Sequence, residues 1–286
     1  MRVTVSPHRS VKRQALSLVL FGFFSVLSLI ILTPFLSMIL TSFKDSSRLI
    51  THGFNLSLEP QVLTLENYKI LFQGDSDYFT WYGNSLLLTT LQTALTLFVS
   101  AWVAYGFAFY TFRGKSLLFV CVLIVMMIPF EILMLPMYQE ITAMKLSDSF
   151  IGIMLPYLAQ ATAIFFFRQF LSFVPYEIVN AGRVDGCSEY GIFLKLVLPN
   201  MTPAFAAMAI LIGMNTWNNY LWPLLVLRSS RKFTLPVGLN SLLSPYGNNY
   251  QLLVSGAVMS ILPIMLLFFC AQKYFIEGIS TGSIKG

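Results

Sequence analysis

The stretch VPYEIVNAGRVDGCSEYGIFLKLVLPNMTP, residues 174–203, stands out because its polarity is mixed while the chain on either side is strongly apolar. It carries two acids and two glycines within ten residues, namely Glu177, Gly182, Asp185 and Gly186. A segment of this composition between two apolar runs needs a local structure of its own. Its helix signals predict that structure.

These signals predict a helix, a sharp turn and a second helix. Pro175 suits the first turn of a helix, and Glu177 just inside it favours the positive end of the helix dipole. Gly186 predicts the break, with Asp185 able to cap the helix that follows. Pro199 is predicted to end the second helix. The second helix is predicted to show an i, i+3, i+4, i+7 apolar stripe of Tyr190, Phe193, Leu194 and Val197. On pattern alone, such a hairpin either protrudes into the cytoplasm as a rigid element or only lies against the bilayer.

The rest of the chain is predicted to consist of membrane-spanning helices. Its composition is 56% hydrophobic and 10% charged, whereas a typical soluble domain has about 25% charged residues. Apolar runs of about 18 residues or more mark spanning helices. Such runs occur at about 15–41, 85–110, 116–136, 150–171, 204–227 and 251–272. We therefore predict an all-α membrane protein with six transmembrane helices.

The cations predict how these helices are oriented. Arg2, Arg9, Lys12 and Arg13 precede the first apolar run, which is too long for the apolar region of a secretion signal, usually about 7–15 residues. The positive-inside rule then places both termini and the 173–203 loop in the cytoplasm. The basic cluster 228–232 would lie outside and runs against this assignment.

Catalytic and metal-binding patterns are not found in the sequence. The histidines are His8 and His52, and the three cysteines have no metal-ligand spacing. The RGKS stretch at 113–116 lacks the first glycine of a phosphate-binding loop, because that position is Phe109. Basic residues do not gather on a soluble face that could bind nucleic acid. We expect no enzymatic activity, so uphill transport would need energy from another chain.

The quoted stretch resembles the signature loop of permease subunits from binding-protein-dependent ABC importers, E-A-A-x-x-D-G-A followed by I-x-L-P. In that family the loop docks a short coupling helix into a cleft of the ATPase subunit. The resemblance therefore implies an ATPase-docking role for the matching positions Glu177, Ala181, Asp185, Gly186 and Pro199. The chain departs from the pattern at Asn180, Gly182 and Cys187.

Other stretches resemble the carbohydrate branch of this family, which carries maltose, oligosaccharides or glycerol phosphate. They are LENYKILF (65–72), NSL (84–86), AYGFAFYTFRGK (104–115), WNNYLWPLLVL (217–227) and EGISTGSIKG (277–286). In this branch the C-terminal tail ends in G-x-x-x-G-x-x-K-G and reaches towards the ATPase pair. The matching tail positions are Gly278, Gly282, Lys285 and Gly286.

The resemblance implies a type I ABC importer permease in the bacterial inner membrane. The chain would form half of the pathway for a sugar or sugar-like solute, paired with a second, different permease subunit. The other implied partners are two ATPase subunits, which bind ATP and Mg, and an extracytoplasmic solute-binding protein. This chain itself would bind no cofactor.

The same interpretation divides the chain into four segments. They are a cytoplasmic tail (1–14), a first transmembrane helix with an external loop (15–83), a transmembrane core that includes the coupling loop 173–203 (84–275), and a cytoplasmic C-terminal tail (276–286). The loops 43–83 and 228–250 would face the binding protein. Their aromatic residues would contact it or form an interfacial belt.

Polar residues within the spans suggest a cargo path. Glu131, Asn215 and Asn219 lie in apolar runs, where a polar side chain needs a partner. Asn215 and Asn219 are four residues apart, which predicts one face of the fifth helix, and Trp217 would offer a flat ring to a sugar. Alternatively, the asparagines hydrogen-bond neighbouring helices, each bond contributing about 0.6 kcal/mol on average.

Two other functions stay open from the residues alone. An ion-gradient-driven secondary transporter would place several ionisable groups in mid-membrane, but only Glu131 lies well inside a predicted span. A membrane scaffold or sensor could use the cytoplasmic hairpin to recruit a partner.

Overall fold

A computed structural model describes residues 8–45, 53, 56–57, 62–73, 76–243 and 249–283. The elements in these ranges are helices, apart from an isolated bridge between Lys44 and Leu63. The chain forms two compact units, one of residues 1–75 with 242–259 and the other of residues 76–241 with 260–286.

The first unit contains helix α1 (His8–Ser42), helix α2 (Glu66–Gln73) and the first part of the last helix. The buried Asn67 of α2 donates through Nδ2 to the carbonyl oxygens of Ser42 and Lys44, both at 2.8 Å. The α2 helix therefore gives regular structure to a segment that the sequence predicted as an external loop.

The second unit is built around the long helix α3 (Tyr78–Phe109). The following helices are α4 (Lys115–Met127), α5 (Phe130–Ala143), α6 (Phe150–Met154), α7 (Ala161–Leu171), α8 (Tyr176–Val184), α9 (Glu189–Asn200), α10 (Thr202–Trp217), α11 (Leu221–Val226) and α12 (Leu235–Ser241). The last helix, α13 (Tyr250–Ser283), continues from the first unit into the second. Small and aromatic side chains of α3, α7 and α10 form one buried core, which includes Ala101, Ala104, Phe167, Ala204 and Met208.

Within the described residues, three helices are long and apolar enough to cross a membrane, and three bent pairs bring the number to as many as six. The single helices are Gln14–Ser42, Tyr78–Phe109 and Tyr250–Phe269. The bent pairs are α4 with α5 (104°), the Phe150–Tyr157 segment with α7 (44°), and α9 with α10 (81°). This agrees with the predicted all-α architecture of six spans, some of which are interrupted.

The predicted span 116–136 is broken next to a proline. Helix α4 ends at Met127, Ile128 is extended, and Pro129 precedes the first residue of α5. A proline disfavours helical geometry in the residue before it and provides no backbone N–H. The break puts Glu131 in the first turn of α5, whereas the sequence placed it inside one continuous helix.

The prediction of one helix over 204–227 is wrong. Helix α10 ends at Trp217, and the Met214 carbonyl in its last turn accepts from both the backbone amide and the side-chain Nδ2 of Asn218, at 3.1 and 2.9 Å. The chain resumes a helix only at Leu221. Asn215 and Asn219 therefore do not share a face of one helix.

The start of the second span also differs from the prediction. Helix α3 begins at Tyr78, so Trp81 and Tyr82 lie in a helix and not in the predicted external loop. Trp81 is buried, and its indole Nε1 donates to the Ser230 carbonyl at 2.9 Å. A fixed hydrogen bond explains why this tryptophan lies inside the unit, since a buried indole N–H needs an acceptor.

Candidate functional site

The predicted helix, turn and helix between residues 174 and 203 is confirmed by α8 and α9. Gly186 has φ +74°, a conformation that glycine adopts without steric cost. The prediction that Asp185 caps α9 is wrong. Ser188 caps this helix, because its hydroxyl oxygen accepts from the Gly191 amide at 3.2 Å. Asp185 instead ends α8, and its amide donates to the Ala181 carbonyl at 2.9 Å.

The two helices of this hairpin pack closely at Gly182. A Cβ atom there would lie 2.7 Å from Leu196 Cδ1 and 2.9 Å from Ile192 Cγ1. The departure from the family pattern at this position therefore has a packing reason. The glycine makes room for two branched side chains of α9.

The predicted apolar stripe of α9 is half correct. Phe193 and Val197 are fully buried, but Tyr190 and Leu194 are exposed. Residues Ile192–Val197 are π-helical, and the wider turn shifts which side chains face the same way. Ile192 joins the buried side for this reason.

An ion pair closes the hairpin across its turn. Arg183 of α8 donates through Nε to Glu189 Oε1 of α9 at 2.7 Å, and through Nη1 to the Tyr176 hydroxyl at 3.1 Å. The hydrogen bond to Glu189 raises the pKa of Arg183 above its usual value. Both side chains are about one-third exposed, at 31% and 37%, so water screens part of this attraction.

The same carboxylate fastens the hairpin to α3. The buried Tyr105 hydroxyl donates to Glu189 Oε2 at 2.9 Å. Next to it, the Trp102 ring of α3 stacks on Tyr190 with centroids 4.9 Å apart and forms a T-shaped contact with Phe193, with centroids 4.5 Å apart. We call the group Tyr105, Arg183 and Glu189 the clasp. It joins both hairpin helices to the longest helix of the unit.

The sequence identified the hairpin but not the clasp. The predicted docking positions Glu177, Ala181, Asp185, Gly186 and Pro199 are all exposed on the hairpin, so their surface is accessible to a partner. Within the clasp, Tyr105 and Glu189 are 84 positions apart along the chain. No local pattern signals a pair at that separation.

A cavity of about 540 Å³ lies elsewhere in the second unit. Its lining includes Glu131 at the start of α5, Asn215 in the last turn of α10, and Asn219 in the link to α11. The broken helices thus bring together the three polar residues that the sequence singled out. Trp217 is not in the lining, because it is buried and its Nε1 donates to the Ser260 carbonyl at 3.1 Å.

Several polar residues of this cavity were not predicted from the sequence, among them Gln92 and Tyr157. Gln92 comes from the middle of α3 and Tyr157 from the turn before α7. Gln92 could have been found, because an amide within the apolar run of α3 calls for an explanation in the same way as Asn215. Tyr157 carries no comparable sequence signal.

The basic cluster that opposed the predicted orientation is partly neutralised. Asp148 accepts from the Arg228 and Ser229 amides at 3.0 and 3.1 Å, and from Lys232 Nζ at 3.0 Å. Partial burial alone would raise the pKa of Asp148, but these hydrogen bonds hold it well below the usual range of a carboxyl. The loop therefore carries less uncompensated charge than its sequence indicates.

The remaining predicted sites can be located only in part. Gly278 and Gly282 lie in α13, whereas Lys285 and Gly286 fall outside the described residues. In the described part of the chain, no group of three or more His, Cys, Asp or Glu side chains could hold a metal ion.

Several long apolar helices, some of them interrupted, and an exposed hairpin characterise the chain as a membrane protein. Residues 97–281 match the family described as binding-protein-dependent transport system inner membrane component. The chain belongs to this family, and the resemblance found in residues 174–203 is confirmed. The chain is therefore a non-catalytic inner-membrane permease subunit of an ABC importer, and the ATPase activity resides in separate subunits.

Curated relatives cover almost the whole chain. The arabinooligosaccharides transport system permease protein AraQ of Bacillus subtilis is 49% identical over 98% of this chain and 99% of its own length. The lactose transport system permease protein LacG of Rhizobium radiobacter is 32% identical over 96% and 99%. These relatives do not favour a secondary transporter or a scaffold.

A solved structure shows the same fold. It is the crystal structure of a bacterial ABC transporter involved in the import of the acidic polysaccharide alginate, with a TM-score of 0.78 and 22% identity. The alignment covers 96% of this chain and 100% of that chain.

Proposed function

We propose that this permease subunit passes an arabinose-containing or similar oligosaccharide and is driven through its α8–α9 hairpin. The cargo class is supported by AraQ, which is 49% identical and named for arabinooligosaccharides, and by the sugar named for LacG. The proposal that the hairpin drives transport is supported by one observation in particular. The hairpin exposes its docking positions while the clasp fastens it to α3.

The clasp connects the hairpin rigidly to α3. A displacement of α8 is transmitted from Arg183 to Glu189 by the ion pair, and from Glu189 to Tyr105 of α3 by the hydrogen bond. Because α3 packs along α7 and α10 in the unit's core, movement of the hairpin is coupled to the helices of the pathway. A two-state bundle that ATP biases at one end needs a connection of this kind.

The proposed assembly follows the family pattern. This subunit pairs with a second, different permease, two ATPase subunits bind ATP and Mg, and an extracytoplasmic binding protein delivers the oligosaccharide. Both termini and the hairpin face the cytoplasm, and the tail positions Gly278, Gly282, Lys285 and Gly286 contact the ATPase pair. Reporter fusions after Lys115, Glu189 and Gly286 should then give cytoplasmic signals, and a fusion after Ser230 an external one. A fusion after Asp75, outside the described residues, should also give an external signal.

The docking role is tested by substituting Gly186 in the co-expressed transporter. Gly186→Val introduces a β-branched side chain where φ is +74°, which should deform the turn and weaken co-purification of the ATPase subunits at least tenfold. Adding Asp185→Ala to this variant should weaken the association with the ATPase subunits further. Gly114→Val is a matched control, because Gly114 also has positive φ, +84°, and open space around it. Equal losses in both valine variants, or normal association in Gly186→Val, would rule out the hairpin as the docking element.

A further inference from the structure

We propose that the 540 Å³ cavity is a contact site for a neutral sugar unit and that Gln92 is a specificity-determining residue in its wall. This inference rests on the proposed function and deepens it, because it assigns direct cargo contact to this subunit. It also restricts the class of cargo. The argument starts from a hydrogen-bond acceptor that the protein leaves unused.

Gln92 is only 3% exposed, and its Oε1 atom has no hydrogen-bond partner among the described residues. Buried polar atoms in native proteins nearly always have a partner, so each exception needs an explanation. Because Gln92 lines the cavity, a hydroxyl group inside the cavity can supply the missing donor. Sugars carry hydroxyl groups on adjacent carbons, each able to donate and accept.

A second polar group lies in the same wall. Asn219 Nδ2 donates to the Tyr157 hydroxyl at 3.2 Å. The phenol oxygen accepts this bond and still carries its own O–H, while the Asn219 amide keeps its carbonyl oxygen. The cavity thus offers acceptors at Gln92 and Asn219 together with a donor at Tyr157, a mixture that suits hydroxyl groups.

Aromatic rings supply the apolar part of the site. The Phe130 ring is stacked on Tyr157, with centroids 4.9 Å apart and an interplanar angle of 29°. It also forms a T-shaped contact with Trp222, with centroids 5.8 Å apart. The buried Trp222 indole is fixed by its hydrogen bond to the Ile153 carbonyl at 3.2 Å. Flat apolar walls with a few convergent polar groups are typical of small-molecule sites, as is a volume of about 300–1,000 Å³.

The charge of the lining indicates which sugars fit. Among the described residues that line the cavity, Glu131 has the only carboxyl group, and none is a lysine or arginine. A uronic acid would bring a second carboxylate next to Glu131 without a cation to pair with it. Unpaired like charge is a common means of rejecting a competing ligand. The cavity therefore favours a neutral oligosaccharide over an acidic one.

The test uses the complete transporter in proteoliposomes, with a neutral arabino-oligosaccharide and an oligogalacturonide as cargo probes. Gln92→Leu removes the acceptor at similar volume and should lower uptake of the neutral probe about tenfold, while ATPase stimulation by loaded binding protein stays within twofold of wild type. The matched control is Thr93→Val on the same helix. Thr93 Oγ1 is also buried without a partner among the described residues, but Thr93 does not line the cavity.

A second variant keeps the proposal testable if Gln92→Leu does not assemble. Glu131 is exposed, so Glu131→Gln should assemble normally and lower the ratio of neutral to acidic uptake at least fivefold. Unchanged uptake in Gln92→Leu, an equal loss in Thr93→Val, or an unchanged ratio in Glu131→Gln would overturn the cavity assignment. Those results concern cargo uptake alone, whereas failure of the proposed function would appear as normal ATPase association in Gly186→Val or as equal losses in Gly186→Val and Gly114→Val.

Discussion

The hairpin and the cavity use polar side chains in opposite ways. In the hairpin, the Glu189 carboxylate is engaged at both oxygens, by Arg183 and by Tyr105. In the cavity wall, the buried Gln92 oxygen has no partner among the described residues. Buried polar networks that are fully satisfied make a region rigid, whereas a buried acceptor without a partner needs an explanation. We therefore propose force transmission for the hairpin and cargo contact for the cavity.

The largest effect is expected from breaking the clasp with Glu189→Ala. This change removes the acceptor of the hydrogen bonds from Arg183 and Tyr105 and leaves Arg183 without its ion-pair partner. Uptake should therefore fall by more than tenfold, with a stability loss of about 1–3 kcal/mol. Uptake and ATPase activity in proteoliposomes measure the coupling. Glu66→Ala removes the exposed Glu66–Lys69 pair at 3.4 Å and should leave both unchanged. Normal coupling in Glu189→Ala would show that the clasp does not transmit the drive.

A smaller effect is expected from Tyr105→Phe. The ring keeps its packing against Phe193, but the hydrogen bond to Glu189 is lost, which should cost about 1 kcal/mol. We expect uptake per ATP hydrolysed to fall several-fold while the ion pair Arg183–Glu189 holds the hairpin together. If the ratio of uptake to hydrolysis does not change, the connection to α3 depends on aromatic packing alone.

The cavity side of the comparison is tested by Asn215→Ala. We expect uptake to fall a few-fold while assembly and stimulated ATPase activity are retained, because Asn215 is exposed at the cavity and is not in the hairpin. Asn215→Gln should recover part of the uptake, since it keeps the amide. Loss of assembly in proportion to uptake would mean that the asparagine holds helices together and does not contact cargo.

The smallest effect is expected from Gly182→Ala. The added Cβ would lie 2.7 Å from Leu196 Cδ1 and 2.9 Å from Ile192 Cγ1, so both side chains must shift, at a cost of about 1 kcal/mol. Thermal unfolding of the purified subunit should show a decrease of a few degrees with coupling preserved. Gly191→Ala is the control within the same hairpin, because its nearest contact is an ordinary 3.4 Å. A larger loss in Gly191→Ala would contradict the packing explanation for Gly182.

The sequence determined the class of fold and the position of the hairpin. Long apolar runs can be stable only in lipid or in a buried core, and both the break at Gly186 and the start of α8 after Pro175 depend on local backbone chemistry. These signals act within a few residues, so they can be recognised without knowing the tertiary structure. Membership of the permease family followed from the same residues.

The tertiary structure decided what those elements contact. The breaks after Met127 and Trp217 interrupt two predicted spans and bring Glu131, Asn215 and Asn219 to one cavity. The bond from Tyr105 to Glu189 joins residues 84 positions apart. Neither result can be deduced from periodicity, because a side chain's partners depend on how distant helices pack, and the local sequence fixes only the face on which that side chain lies.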